Sequence, residues 1–198
     1  MILGIAFDMD GTLTKPKIDF ARIRAELGLT DPSRPLFEQI LELEEPRRAQ
    51  ALAVLERAEL EAGREAEANP GLYPLIEYLE KNQIKKAIFT RSSSRALELT
   101  LSNLKLSGKF FPLVTRDLNL PLKPSPAPIQ YILEQWQFSP EQILVVGDYV
   151  LDLQSGKNAG ARTVYLQHQP SSPSPREADF VITRLDQLIS ILEELNAR

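Results

Sequence analysis

Asp8 and Asp10 stand two residues apart, between a short apolar run at 2–7 and Gly11. In extended backbone the side chains alternate, so these two carboxylates face the same way. Gly11 permits the tight turn that carries the chain onward. An Asp-Gly pair alone is an ordinary turn dipeptide. A buried strand ending in two carboxylates is more, because ligands of open parallel sheets bind beyond the carboxyl ends of the strands. A second acidic pair, Asp148 and Asp152, lies in Gly147-Asp148-Tyr149-Val150-Leu151-Asp152, after the apolar run 143–146. Taken singly, Asp148 is explained as a cap if a helix starts near Tyr149. Four carboxylates drawn to one sheet edge repel one another and push some pKa values up. A divalent cation removes that cost. Mg²⁺ suits such a site, because it takes one or two carboxylates and completes its shell with phosphate oxygens and water. The acidic groups therefore imply a metal and an anionic substrate.

Thr90 closes another apolar run, 86–89, and Arg91-Ser92-Ser93-Ser94 follows at a helix start. A hydroxyl beside the free N–H groups of a helix N-terminus makes a phosphate cradle, with Arg91 a candidate to touch the substrate. Ser92 and Ser93 read as helix caps. Lys123 lies in 120–128, a loop holding four prolines. Returned to the same sheet edge, its ammonium would hold Asp8 and offset charge on a transferring phosphoryl group. A lysine in such a loop is otherwise a solvated surface residue.

The elements that must position these residues follow from the apolar pattern. Runs at 2–7, 86–89, 112–115, 143–146, 163–166 and 180–182 read as buried strands. Helical patterns lie between them at 74–82, 92–106, 126–137, 151–159 and 185–196. Strands alternating with helices of this length argue an α/β fold, a doubly wound parallel sheet with helices on both faces. From about residue 15 to 69 the rhythm breaks. Stretches 19–27, 35–43 and 46–68 read as helices, and Pro70-Gly71 marks the return to the sheet. The expected division is an α/β core over 1–14 and 70–198, with a small all-helical cap over 15–69 as a lid. The stretch 169–176 reads as an exposed loop.

At 198 residues the chain holds one ample domain, or one domain with a smaller insert. Zero cysteines exclude thiol catalysis, zinc–thiolate sites and a disulfide framework. A formal net charge of −4 argues against a general nucleic-acid binder. No apolar stretch nears the roughly 20 residues of a membrane helix. The run 2–7 lacks the length and basic flank of a signal peptide, so the expected location is the cytoplasm. His168, the only histidine, reads as exposed, and Trp136 as a packing residue. The arginines of 15–69 read as a solvated face balanced by glutamates, or else as contacts to an acidic substrate.

Asp8-Met9-Asp10-Gly11-Thr12-Leu13-Thr14, Thr90 at a strand end, Lys123-Pro124 and the Asp148–Asp152 segment occur in this order on these element types. The set resembles the haloacid dehalogenase superfamily of phosphatases, and within it the phosphoglycolate phosphatase-like members with a small helical cap. The likeness spans nearly the whole chain and implies a phosphatase acting on a small phosphorylated metabolite with Mg²⁺. By this resemblance Asp8 matches the nucleophile that forms an aspartyl-phosphate. Asp10 matches the general acid and later base, with its backbone carbonyl on the metal. Thr90 matches the phosphate-binding hydroxyl, and Lys123 the lysine that steadies nucleophile and phosphate. Asp148 matches a Mg²⁺ ligand, and Asp152 an acidic partner that orients the site through water. The expected metal set is thus Asp8, Asp10, Asp148 and Asp152. Tyr149 departs from the pattern, standing where a small residue is common. Gly156 replaces a frequent alanine, a change expected to matter little. A sugar phosphomutase would share the four motifs under a more elaborate cap. A non-catalytic scaffold would have lost one of Asp8, Asp10, Lys123 or Asp148, and all are present. The substrate itself is set by lid side chains that no motif fixes.

Overall fold

The computed structural model describes residues 1–169 and 173–197. The apolar runs form six strands: β1 (Gly4–Phe7), β2 (Lys85–Phe89), β3 (Leu113–Val114), β4 (Ile143–Gly147), β5 (Arg162–Leu166) and β6 (Phe180–Ile182). They pair throughout in parallel, in the order β3-β2-β1-β4-β5-β6. The order reverses between β1 and β4, the switch point where such sheets open a crevice at their carboxyl edge. β1 and β4 are buried along their whole length, as expected of strands covered on both faces, which read as unbroken apolar runs.

Helices α1 (Phe20–Leu27), α2 (Leu36–Leu41) and α3 (Arg47–Arg64) lie between β1 and the next core helix, α4 (Leu72–Lys81). The rest are α5 (Ser94–Asn103), α6 (Ala127–Trp136), α7 (Val150–Asn158) and α8 (Leu188–Ala197). Ile5 and Phe7 face one apolar layer with Leu75 and Leu79 of α4, Leu97 and Leu101 of α5, and Leu192 of α8. Ala6 faces the other, with Ile129, Ile132 and Trp136 of α6. The sheet is thus covered on both sides. Trp136 packs in the core as expected. α1–α3 bury a cluster of their own, including Ile23, Ile40, Ala51 and Leu55. No helix among the described residues is long and apolar enough to cross a membrane.

Two expectations need correction. The Ala- and Glu-rich pattern predicts a helix to residue 68, but α3 stops at Arg64. The chain must return to the sheet there: Glu67 O accepts from Lys15 N at 2.9 Å, and Leu13 O accepts from Asn69 N at 2.9 Å. These strand-like pairings replace the last turn of helix. Gly156 is also not neutral. A Cβ there would lie 2.8 Å from Thr163 Cγ2 and 2.9 Å from Val145 Cβ, so the glycine lets α7 sit close against β4 and β5. Of the loop expected at 169–176, Pro170, Ser171 and Ser172 lie outside the described residues; 173–175 has no regular structure.

Candidate active site

Asp8 follows β1 directly, its N–H donating to Val146 O at 2.9 Å, so the sheet ladder carries it to the carboxyl edge. Phe7 and Met9 enter the core, whereas Asp8 and Asp10 both line one cavity, the alternation expected of extended backbone. Gly11 turns the chain at φ +90°, and a Cβ there would sit 2.2 Å from Asp148 Oδ2. Only glycine lets the two acidic loops approach so closely.

That first loop is held from three sides. Thr12 Oγ1 donates to Asp148 Oδ1 at 3.2 Å. The buried Asn69 amide donates to the carbonyls of Gly11, Thr12 and Thr14 at 2.8, 2.8 and 2.9 Å. His168 Nε2 lies 2.7 Å from Gly11 O, which requires the hydrogen on that nitrogen. It also lies 3.4 Å from Asp148 Oδ2. The hydrogen bond to Asp148 raises the His168 pKa, against its partial burial. His168 is exposed, as its loop position led one to expect, yet it straps the Gly11 turn to Asp148 across the rim of the site.

Lys123 is 4% exposed and far from solvated. Its Nζ donates to Asp8 Oδ1 at 2.6 Å and to Asp152 Oδ1 at 2.7 Å, and lies 4.0 Å from the centre of the Phe89 ring. Asp152 Oδ2 accepts the Tyr149 N–H at 3.0 Å. Asp152 thus bridges the lysine and the start of α7 directly. Tyr149, not Asp148, is the first cap residue of α7, so capping does not account for Asp148.

Asp8, Asp10, Asp148 and Asp152 share the cavity floor with one ammonium, Lys123. Burial pushes the Asp8 carboxyl well above the usual range; Lys123 pulls it back, while Asp152 and Asp148 push it further. Burial likewise raises Asp152, against Lys123, and Asp10, against the Ser92 hydroxyl. Burial works to lower Lys123, but Asp152 and Asp8 outweigh it and the net shift is upward. One cation does not balance this set, which is a reason for a dication to bind. Carboxylate oxygens of Asp8, Asp148 and Asp152 lie within 4.8 Å of one another, an all-oxygen donor set that fits a hard divalent ion. The Asp10 carboxylate does not join that group.

Instead, Asp10 Oδ2 accepts from Ser92 Oγ at 2.7 Å. The helix cap is Ser93, whose Oγ accepts from Ala96 N at 3.2 Å. Ser92 is one residue too early to cap α5, and its hydroxyl is spent on Asp10. Thr90 lies buried at the end of β2, lining the cavity, its Oγ1 accepting the Ser92 N–H at 3.1 Å.

Two arginine–glutamate pairs tie α1–α3 to this edge. Arg91 donates to Glu38 of α2 at 2.6 and 3.0 Å, and also to Lys123 O. Arg116 pairs with Glu59 of α3, both nearly buried, and donates to Arg91 O at 3.0 Å. Glu59 Oε2 accepts the Ser93 N–H at 3.3 Å. Removing one member of a buried pair leaves an uncompensated charge. Glu59→Ala is expected to destabilise the fold by about 3–5 kcal/mol, read as a lower midpoint in urea. A change under about 0.5 kcal/mol would mean that Arg116 finds water instead. Nothing local in the sequence singles out Glu38 or Glu59 among the many glutamates of these helices. Asn69 had one signal, its place directly before the Pro70-Gly71 return.

The cavity has a volume of about 420 Å³. Its floor is the acidic edge; its wall is residues of α1–α3 and their connections, among them Ile18, Phe20, Arg24, Leu36, Phe37 and Leu55.

Comparison with known proteins agrees with this architecture. Residues 2–160 match the family model of haloacid dehalogenase-like hydrolases. An uncharacterized hydrolase of Saccharomyces cerevisiae is 32% identical over 98% of this chain and 93% of its own. Pyrophosphatase PpaX of Bacillus mycoides is 33% identical over 63% of this chain and 60% of that one. The crystal structure of a predicted phosphoglycolate phosphatase from Haemophilus somnus superposes with a TM-score of 0.77, at 20% identity, covering 96% of this chain and 98% of that one.

Proposed function

The chain belongs to the haloacid dehalogenase-like hydrolases, and from that premise we propose that it is a Mg²⁺-dependent phosphomonoester hydrolase of a small metabolite. The observation that carries this reading is the buried Asp8–Lys123–Asp152 chain beside Asp10, with its excess of negative charge. The kinship to a pyrophosphatase supports the same phosphoryl chemistry.

Lys123 holds Asp8 Oδ1, so attack on phosphorus falls to Oδ2. A new P–O bond to Asp8 forms as the ester P–O bond breaks. Asp10, steadied by Ser92, gives its proton to the departing oxygen, which leaves as an alcohol. The resulting Asp10 carboxylate then takes a proton from water as that water attacks phosphorus. Inorganic phosphate leaves and Asp8 is restored. Thr90 and Lys123 position the phosphoryl oxygens; positioning and electrostatics are most of what this chemistry needs. Asp8, Asp148 and the Asp10 carbonyl would hold Mg²⁺, which offsets the charge of the transferring group. Asp152, both of whose oxygens are engaged by Lys123 and the Tyr149 N–H, orients them. Residues 15–69 act as the cap, and Arg91 braces it through Glu38.

The test is a panel of phosphorylated metabolites assayed with Mg²⁺ and with EDTA. Phosphate release is expected with Mg²⁺, to vanish on chelation and to return when the metal is restored. Full turnover in EDTA would sink the metal assignment.

A further inference from the structure

Of the cations lining the cavity, Lys17 pairs with Glu67, Arg34 with Glu42, Arg91 with Glu38, and Lys123 with Asp8 and Asp152. Of these cavity-lining cations among the described residues, Arg24 alone pairs with no carboxylate. It is held only by neutral acceptors, donating to Arg34 O at 3.0 Å and Phe20 O at 3.4 Å. Its buried Nε has no acceptor at all; the only other buried side-chain N or O without a partner among the described residues is Arg91 Nε, on the same cavity. A half-buried guanidinium with spare donors and an unbalanced charge is completed by an anion. The same cavity wall carries a run of apolar side chains, Ile18, Phe20, Leu36, Phe37 and Leu55.

We propose that Arg24 is a specificity residue that receives a second anionic group on the leaving group of the substrate, joined to the phosphate ester through a carbon spacer rather than a polyol. This rests on the phosphomonoesterase reading above. The acidic floor takes the scissile phosphate with its metal; the cap takes the other end. An uncharged leaving group would leave the Arg24 charge unbalanced when the substrate covers it, which disfavours such esters.

The probes are ω-phosphooxyalkanoates of graded chain length, the matching primary amides, and alkanediol bisphosphates, all with Mg²⁺. At one length the wild-type protein is expected to hydrolyse an acid or bisphosphate about 10–100-fold better in kcat/KM than the amide, as for a hydrogen bond to a charged group. The difference should lie mainly in KM. Arg24→Met should bring that ratio near one, and Arg24→Lys should keep part of it. Preference for the bisphosphate would name the second anion as phosphate, and preference for the acid would name it as carboxylate; either supports the proposal. Equal use of acids, bisphosphates and amides at every length by the wild-type protein would overturn it, as would an undiminished preference in Arg24→Met. The wild-type comparison decides alone if Arg24→Met does not fold. Hydrolysis of amides without any anion preference leaves the phosphatase reading standing while this proposal falls. Hydrolysis of none of these esters would overturn this proposal and leave the phosphatase reading to the metabolite panel.

Discussion

With Asp8 replaced by asparagine, hydrolysis of every phosphomonoester is expected to fall by about 10⁴-fold or more, because the group proposed to receive the phosphoryl is gone. The fold should persist. Lys123 keeps Asp152 at 2.7 Å, so the substitution does not orphan the buried ammonium. Burial already holds the Asp8 carboxyl well above the ordinary range; a group so shifted destabilises the fold in its charged form. A neutral amide of the same shape should therefore leave the metal-free protein as stable as wild type, or more so. The measurements are phosphate release, and thermal unfolding in EDTA. Surviving activity in a clean preparation would move the nucleophile elsewhere. A large drop in Tm would instead make Asp8 a structural partner of Lys123.

Asp10→Asn should behave differently, because it spares the proposed nucleophile and removes only the proton that Asp10 is proposed to carry. An amide oxygen can still accept from Ser92 Oγ, and the backbone carbonyl is unchanged, so the loop should keep its shape. Loss of a positioned general acid and base costs roughly 10²–10⁴-fold in rate. The loss should grade with the leaving group. A p-nitrophenolate needs little protonation and should suffer least, whereas an alkoxide leaves poorly and should suffer most. Water attack on the aspartyl-phosphate should slow as well, so with the activated ester a phosphorylated protein is expected to accumulate and to show in the intact mass. A uniform small loss across leaving groups, with no trapped intermediate, would reduce Asp10 to a turn residue.

The parallel sheet was legible because strands buried on both faces read as short, unbroken apolar runs. Asp8 and Asp10 were legible for a related reason. They end such a run, and the period of two puts both on one side. Those are local facts, carried by residues adjacent in the chain. Lys123 was legible only in part. The motif order marked it, but its contact with Asp8 spans 115 positions, and a lysine among prolines is ordinarily at the surface. Local pattern misled where distant backbone competed. The run of Ala and Glu to residue 68 favours helix, yet the pairing of Glu67 with Lys15 and of Asn69 with Leu13 ends it at Arg64.

What the sequence determined by itself is the fold class and the chemical identity of the acidic edge, since both depend on residue type and short spacing. Tertiary structure alone decided who holds whom. Ser92 serves Asp10 rather than a helix end, and Asn69 and His168 grip Gly11 O from opposite ends of the chain. Glu38 and Glu59 find arginines, while Arg24 finds only backbone carbonyls. Each of these is a choice among chemically equivalent serines, glutamates or arginines. That choice is made by which side chains packing brings within about 3 Å, the reach of a hydrogen bond.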